Sequence, residues 1–261
     1  MRPITVTAAA LTAVLTACSS VVHERPWETL VDLTHDFADD TIYWPTASGF
    51  EFVIDSRGMT EKGYWYEANT IRTAEHGGTH LDAPVHFAQG KTATEQIPLE
   101  RLIAPAVVID VRVPCTADRD YQVSSTDLDT FEREHGPIGA GTIVLLWTGF
   151  GEHWPDARRY LGTEERGEEA VEKLSFPGLH PSGAAWLVER DIAAVGIDTA
   201  SIDRGASQLF ETHRELFAQD IPVFENVAHL DRVPTRGATV IALPMKIRGG
   251  SGGPLRIVAA Y

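Results

Sequence analysis

Between residues 76 and 86 the chain reads His-Gly-Gly-Thr-His-Leu-Asp-Ala-Pro-Val-His. His76 and His80 stand four apart, the spacing of helical zinc motifs. A helix is nonetheless disfavoured here. Gly77 and Gly78 lie between the two histidines and Pro84 follows, and both residue types oppose a helix interior. The pattern predicts a tight glycine turn that runs into extended chain. Residues two apart share a face in extended chain, so His80, Asp82 and His86 would point the same way. Six extended residues span about 20 Å, too far for one ligand shell. Either the chain bends, with Pro84 the natural place, or His86 stays outside the shell and is free to carry a proton.

Zinc and manganese sites need imidazole and carboxylate groups converging on one point. A second set of such groups lies downstream. The spacing predicts a helix over 207–219, with Leu209, Phe210, His213, Leu216 and Phe217 on one apolar face. His213 would then point inward. Twelve residues later Glu225 interrupts the apolar strand Pro-Val-Phe-Glu-Asn-Val. A buried histidine and a buried carboxylate each need a partner. They could pair with each other, or join a metal held by the first cluster. Asp198 and Asp203 end a strand, where they could support that site or cap a turn. Ser201 and Ser251 read as turn residues.

The rest of the pattern is that of a mixed α/β chain with a largely buried sheet and dispersed helices, in one domain. Strands are expected at 30–34, 52–54, 64–66, 69–73, 106–111, 142–147, 193–198, 222–227, 238–243 and 255–260. The 69–73 segment alternates as a half-buried strand would. Helices are expected at 125–135 and 181–190, with a charged surface helix or loop at 164–173. Residues 41–46, containing Tyr43 and Trp44, read as a loop with exposed aromatics. The formal net charge is −15, which repels phosphate backbones and argues against nucleic acid as a partner.

The first 17 residues have one cation and then a small, apolar run, too short to span a membrane. Leu15-Thr-Ala-Cys18 is similar to the cleavage box of bacterial lipoproteins. It predicts a signal peptide over 1–17, lipidation at Cys18, a tether over 18–26 and the folded domain over 27–261. The protein would be exported and held to the cell envelope, touching the membrane only through that lipid. Cys115 would then be alone, so no internal disulfide forms and no cysteine-rich zinc knuckle is possible.

His76, Gly78, Thr79, His80, Asp82, Pro84 and His86 together complete the pattern His-x-Gly-Thr-His-x-Asp-x-Pro-x-His. This resembles the cyclase family of metal-dependent hydrolases, whose members include the bacterial kynurenine formamidases and isatin hydrolase. Pro177-Gly-Leu, Val195-Gly-Ile-Asp-Thr, Ser201-Ile-Asp, His213, Glu225-Asn and Gly249-Gly-Ser-Gly extend the likeness over nearly the whole chain after residue 27. The resemblance implies a swivelling β/β/α fold, as a homodimer or homotetramer, with one or two Zn²⁺ or Mn²⁺ ions. His76, His80 and Asp82 would bind one metal. Asp82 and Glu225 would bridge to a second, completed by His213. His86 would be the general acid/base, and Trp44 would face the substrate ring. A metal-bound water, acidified toward neutrality, would attack an amide or ester carbonyl, with the proton ending on the leaving amine. The implied activity is cleavage of a C–N bond in an aryl formamide or cyclic amide. Lactone or ester hydrolysis, and a non-catalytic metal- or ligand-binding lipoprotein, are the alternatives.

Overall fold

The computed structural model describes residues 27–261. The expected signal peptide, lipidation site at Cys18 and tether lie outside the described residues. Among the described residues there are twelve strands. In chain order they are β1 (Leu30–Asp32), β2 (Glu51–Met59), β3 (Trp65–Arg72), β4 (His80–Asp82), β5 (Ile103–Asp110), β6 (Gln122–Val123), β7 (Ile143–Trp147), β8 (Gly178–Leu179), β9 (Ala194–Ile197), β10 (Val223–Glu225), β11 (Arg236–Pro244) and β12 (Gly252–Ala260).

Eight of these form one mixed sheet in the order β1-β12-β11-β5-β7-β9-β10-β4. β12 also pairs with β4, so the sheet closes on itself. Strands β5, β7, β9 and β10 are parallel, and their neighbours at either end are antiparallel. The expected buried mixed sheet is therefore present, and closed.

Side chains alternate between two apolar layers, as the two-residue period of a strand requires. Ala106, Val108, Ile143 and Leu145 belong to one core cluster, which also takes in Leu81, Phe224, Val240 and Ile257. Val107, Ile109, Val144 and Leu146 belong to the other. That second layer is covered by the helices Ser125–His135, Pro181–Glu189 and Glu211–Phe217, which supply Leu128, Phe131, Leu187, Leu216 and Phe217. Among the described residues, no helix is long and apolar enough to cross a membrane.

Three sequence expectations change. The helix expected over 207–219 is only Glu211–Phe217. Phe210 takes a left-handed conformation (φ 48°), and the Asp203 carboxylate accepts the Thr212 and His213 amides. These side-chain bonds start the helix later than the apolar pattern alone would. Tyr43 is not exposed: its ring is buried over Gly77 and its hydroxyl hydrogen-bonds the Thr73 hydroxyl at 2.5 Å. The 69–73 segment is not half-buried. It belongs to a separate two-stranded ribbon, β2–β3, whose large apolar side chains face outward.

Candidate metal and active site

The site forms where β4 enters the closed sheet. Glycine geometry brings it there. Gly77 and Gly78 have φ of 154° and 57°. A Cβ at Gly77 would stand 2.0 Å from the Tyr43 ring, and one at Gly78 would stand 2.7 Å from the Phe37 ring. Only glycine lets the turn pass beneath those two aromatics. β4 then pairs antiparallel with β10, setting His80 opposite Glu225, and with β12, setting Gly252 opposite Asp82. A side chain at Gly252 would meet the His76 ring at 2.6 Å. These registers bring residues 80, 82 and 225 to one place.

Four buried groups converge. His80 Nδ1 bonds the Gly78 carbonyl at 3.0 Å, which leaves Nε2 facing inward. That buried Nε2 makes no hydrogen bond, yet it lies 3.0 Å from Asp82 Oδ1 and 3.4 Å from Glu225 Oε2. His213 Nδ1 donates to Asp203 Oδ2 at 2.6 Å. Its Nε2 lies 3.2 Å from both Asp82 Oδ2 and Glu225 Oε1. Two imidazole nitrogens thus aim at one pair of carboxylates. Such a set is either proton-filled or cation-filled, because unprotonated lone pairs facing carboxylate oxygens repel.

The electrostatics follow from the crowding. Burial alone would lower His80, but the Asp82 and Glu225 carboxylates outweigh it and hold it at about 9. Burial opposes charge on His213 too, and its bonds to Asp203, Asp82 and Glu225 raise it well above the ordinary value. Burial would raise Asp82, yet the charges of His76 and His80 pull it well down. Glu225 is raised, by burial first and then by the Asp82 charge.

His76 and His86 complete the cluster from its open side. His76 Nδ1 is 2.6 Å from Asp82 Oδ1, and its Nε2 is 2.9 Å from Ser251 Oγ. Ser251 donates in turn to Glu75 Oε2 at 2.7 Å, so it is more than a turn residue. The chain does bend at Pro84: a 3₁₀ turn over Pro84–His86 stacks His86 on His76 with ring centroids 3.8 Å apart. Burial pushes His86 down to about 4, so it is neutral at pH 7.

Among the described residues, two groups of side chains have donor atoms within 4.8 Å of one another: His80, Asp82 and Glu225, and His76, Asp82 and His86. Asp82 is common to both. The donor set, all imidazole and carboxylate, fits zinc or manganese. His86 comes within reach of this set because the chain bends at Pro84, the first of the two alternatives that the sequence left open.

The aspartates divide. Asp203 holds His213. Asp198 instead accepts from the Thr148 and Gly149 amides and the Thr148 hydroxyl, at 2.6–2.9 Å, and caps that turn. Asn226, adjacent to Glu225, has φ 53°. Its Nδ2 donates to the Gly78 carbonyl at 2.6 Å, and its Oδ1 accepts from the buried Tyr160 hydroxyl at 2.8 Å. It ties β10 to the glycine turn.

A cavity of about 290 Å³ opens over these groups. Trp44 lines it, together with Phe87 and Phe210. Phe210 lies 5.0 Å from Phe87 and 6.2 Å from Trp44, ring to ring. Sequence reasoning missed both phenylalanines as cavity residues. Phe87 directly follows His86, which was the available signal. Phe210 was assigned to a helix face that does not form at that position.

The sequence model of the cyclase family matches residues 31–204. The chain belongs to the cyclase family. Isatin hydrolase of Roseibium aggregatum is 32% identical over 205 residues, covering 76% of this chain and 76% of that protein. Kynurenine formamidase of Salinibacter ruber is 27% identical over 233 residues, covering 88% of this chain and 96% of that protein. Among solved structures, an isatin hydrolase bound to the product analogue thioisatinate superposes with a TM-score of 0.80 at 29% identity. It covers 89% of this chain and 92% of that one. Cyclase-family membership makes this chain a hydrolase, and the closed mixed sheet is the fold it shares with those relatives.

Proposed function

We propose that this cyclase-family hydrolase cleaves a C–N bond in an aryl formamide or a cyclic aryl amide, with one or two divalent Zn²⁺ or Mn²⁺ ions held by His76, His80, Asp82, His213 and Glu225. The observation that carries this reading is the convergence of two buried imidazole Nε2 atoms on the Asp82–Glu225 pair, at 3.0–3.4 Å, beneath an aromatic-lined cavity. When bound, such an ion polarises a carbonyl and lowers the pKa of water toward neutrality.

The chain's own residues do the rest. Trp44, Phe87 and Phe210 receive a flat aryl group and keep water from it. The backbone carbonyl of Gly78 and the Asp203 carboxylate fix the two inner histidines in one ring orientation. His86 is neutral at pH 7, so it can accept a proton at a ring nitrogen and return it to the leaving amine. Its stacking on His76 holds it at the cavity wall.

Isatin and N-formylkynurenine are the substrates to test first, by analogy with the two named relatives. A lactone is the nearest competitor. The Leu15-Thr-Ala-Cys18 box further supports an exported, lipid-anchored enzyme, one that meets its substrate at the cell envelope. The test is to strip the protein with a chelator, restore Zn²⁺ or Mn²⁺ singly, and assay isatin, N-formylkynurenine and a simple aryl lactone. Turnover of an amide that depends on added metal is expected. No turnover of any of the three with either ion, in protein that binds the ion, would overturn the catalytic reading.

A further inference from the structure

His86, the proposed proton carrier, sits on the loop 84–92. Among the described residues its ring is held by packing and not by a hydrogen bond. It stacks on His76 at 3.8 Å and meets the Phe87 ring edge-on at 4.4 Å. The backbone of the loop therefore decides where the ring sits. That loop closes on itself: the Val85 amide donates to the Thr92 carbonyl at 3.1 Å, and the Ala88 amide to the Pro84 carbonyl at 3.1 Å.

Asp220 pins the far end of the loop. Its Oδ1 accepts the Thr92 amide at 3.0 Å and the Thr92 hydroxyl at 2.7 Å, and its Oδ2 accepts from Lys91 Nζ at 2.9 Å. Asp220 lies just past the helix Glu211–Phe217, which carries His213. Its amide donates to the Phe217 carbonyl at 3.1 Å, and the Ile221 amide to the Leu216 carbonyl at 3.2 Å. That pair of bonds ends a helix with one residue in left-handed backbone, and Asp220 is that residue, at φ 54°. Glycine is the usual occupant, because a Cβ is strained there. What aspartate adds over glycine is its carboxylate, and here the carboxylate is directed at the loop.

The same helix holds the loop at its near end. The Phe87 ring lies 4.7 Å from the His213 ring and 6.3 Å from the Phe217 ring. Residues 213, 217 and 220 follow one another at the spacing of a single helix side. The loop is thus fastened twice to one helix, by ring packing beside His86 and by the Asp220 carboxylate at Thr92. This sets His86 and His213 in one frame, with ring centroids 6.3 Å apart.

We propose that Asp220 is a positioning residue for His86, fixing the loop so that the ring meets the leaving amine. The inference rests on the reading of His86 as the general acid/base. Proton transfer needs a ring nitrogen within hydrogen-bond reach of its partner, and a displacement of about 1 Å can cost about 10²-fold in rate. Asp220, Lys91 and Thr92 do not line the cavity. Loss of the carboxylate should therefore leave metal and aryl group bound and slow only the step that His86 performs. The two bonds to Thr92 are the ones that matter. The Lys91 pair is exposed by about a third on each side, and such pairs contribute little.

The test compares Asp220→Gly with Asp220→Asn in the full, metal-loaded chain. Both replacements accept left-handed backbone, so both should fold. Only asparagine keeps an oxygen for Thr92. Hydrogen exchange reads the loop without substrate: the Val85 and Thr92 amides should exchange about 5-fold faster or more in Asp220→Gly, and near the wild-type rate in Asp220→Asn. On isatin or N-formylkynurenine, Asp220→Gly should lower kcat by about 10–100-fold with KM and metal content unchanged. Asp220→Asn should restore kcat to within about 3-fold of wild type. In a His86→Asn background, Asp220→Gly should lower kcat no further. Unchanged exchange or unchanged kcat in Asp220→Gly overturns the proposal. An equal loss in the His86→Asn background also overturns it, and leaves His86 standing as the proton carrier. Full kcat in His86→Asn alone overturns the proton-carrier reading, and the proposal with it.

Discussion

The Asp203 carboxylate lies 2.6 Å from His213 Nδ1, and the other nitrogen of that ring lies 3.2 Å from both Asp82 Oδ2 and Glu225 Oε1. Accepting the Nδ1–H hydrogen bond leaves Nε2 as the nitrogen that would face a cation, and it points where the two carboxylates point. The same Asp203 side chain accepts the Thr212 and His213 amides, so it starts the helix that carries the histidine. One aspartate thus sets both the position and the tautomer of the ring.

Asp203→Ala should therefore weaken metal binding. Removing a carboxylate that orients a ligand histidine typically costs about 10–100-fold in affinity. Asp203→Asn keeps an acceptor for Nδ1 but loses the charge, so it should fall between Ala and wild type. Titration of metal-free protein with Zn²⁺ and Mn²⁺ measures this directly. Equal affinity in all three proteins would remove Asp203 from the site.

His86 should separate from the inner ligands in a second experiment. His86→Asn should lower kcat by about 10²–10⁴-fold, the usual worth of a positioned acid/base. Metal content should stay at the wild-type level. His80→Asn should lose both metal and activity. Metal lost from the His86 variant would instead make His86 a ligand, in keeping with its closeness to His76 and Asp82.

Much of this site could be read in the chain before any coordinates, and the reason is local. His80 and Asp82 share a strand, and Gly77 and Gly78 announce the turn before it. Glu225 was visible as a charge inside an apolar strand, and His213 as a histidine on an apolar helix face. Pairings across distant segments were less visible. The β4–β10 and β4–β12 registers decide that Glu225 faces His80 and that Gly252 must be bare, and no short window encodes a register. Phe210 misled because apolar spacing continues past the true start of its helix, where Asp203 caps it. Residues 69–73 misled for another reason. A strand alternates in the same way whether its apolar side meets its own core or is left exposed, so periodicity could not tell a core strand from the outward arm.

The aromatic lining should govern which substrates bind. Trp44→Ala and Phe210→Ala each remove one wall of the cavity. Aromatic contacts contribute about 0.5–1.5 kcal/mol beyond area burial, so each change should raise KM for an aryl amide by about 3–10-fold or more. An aliphatic formamide should lose much less. Steady-state kinetics on one aryl and one aliphatic substrate provide the ratio. Equal losses on both would show that the walls do not contact the aryl group.

The glycine turn should be intolerant of a single methyl group. At Gly77 an added Cβ meets the buried Tyr43 ring at 2.0 Å, on a backbone at φ 154°. Neither partner can yield cheaply, since the Tyr43 hydroxyl is tied to Thr73. Gly77→Ala should cost at least the 1–3 kcal/mol typical of overpacking, roughly 2–10 °C in Tm for a chain of this size. Gly90→Ala should move Tm far less, because nothing lies within 4 Å of its Cβ position and only the φ of 80° opposes it. Thermal melts of the two variants beside wild type measure the difference.

Stability should also fall with acid, and His35 provides a defined part of that fall. Its ring stacks on Trp154 at 4.2 Å, and its buried Nε2 has no hydrogen-bond partner. Burial, with the nearby His229, pushes it from 6.5 down to about 4. Between those two values the unfolded chain holds the proton and the folded chain does not. Stability therefore rises with pH across that window. It is fully present above about pH 6.5 and is progressively lost as pH falls toward 4. The full shift corresponds to about 3 kcal/mol. Denaturant unfolding at pH 7.0 and pH 5.0 measures the loss, and His35→Asn isolates the share of His35. The variant should lose about 1–2 kcal/mol less than wild type between those two pH values. An identical loss in both proteins would show that His35 takes up its proton in the folded state as readily as in the unfolded one.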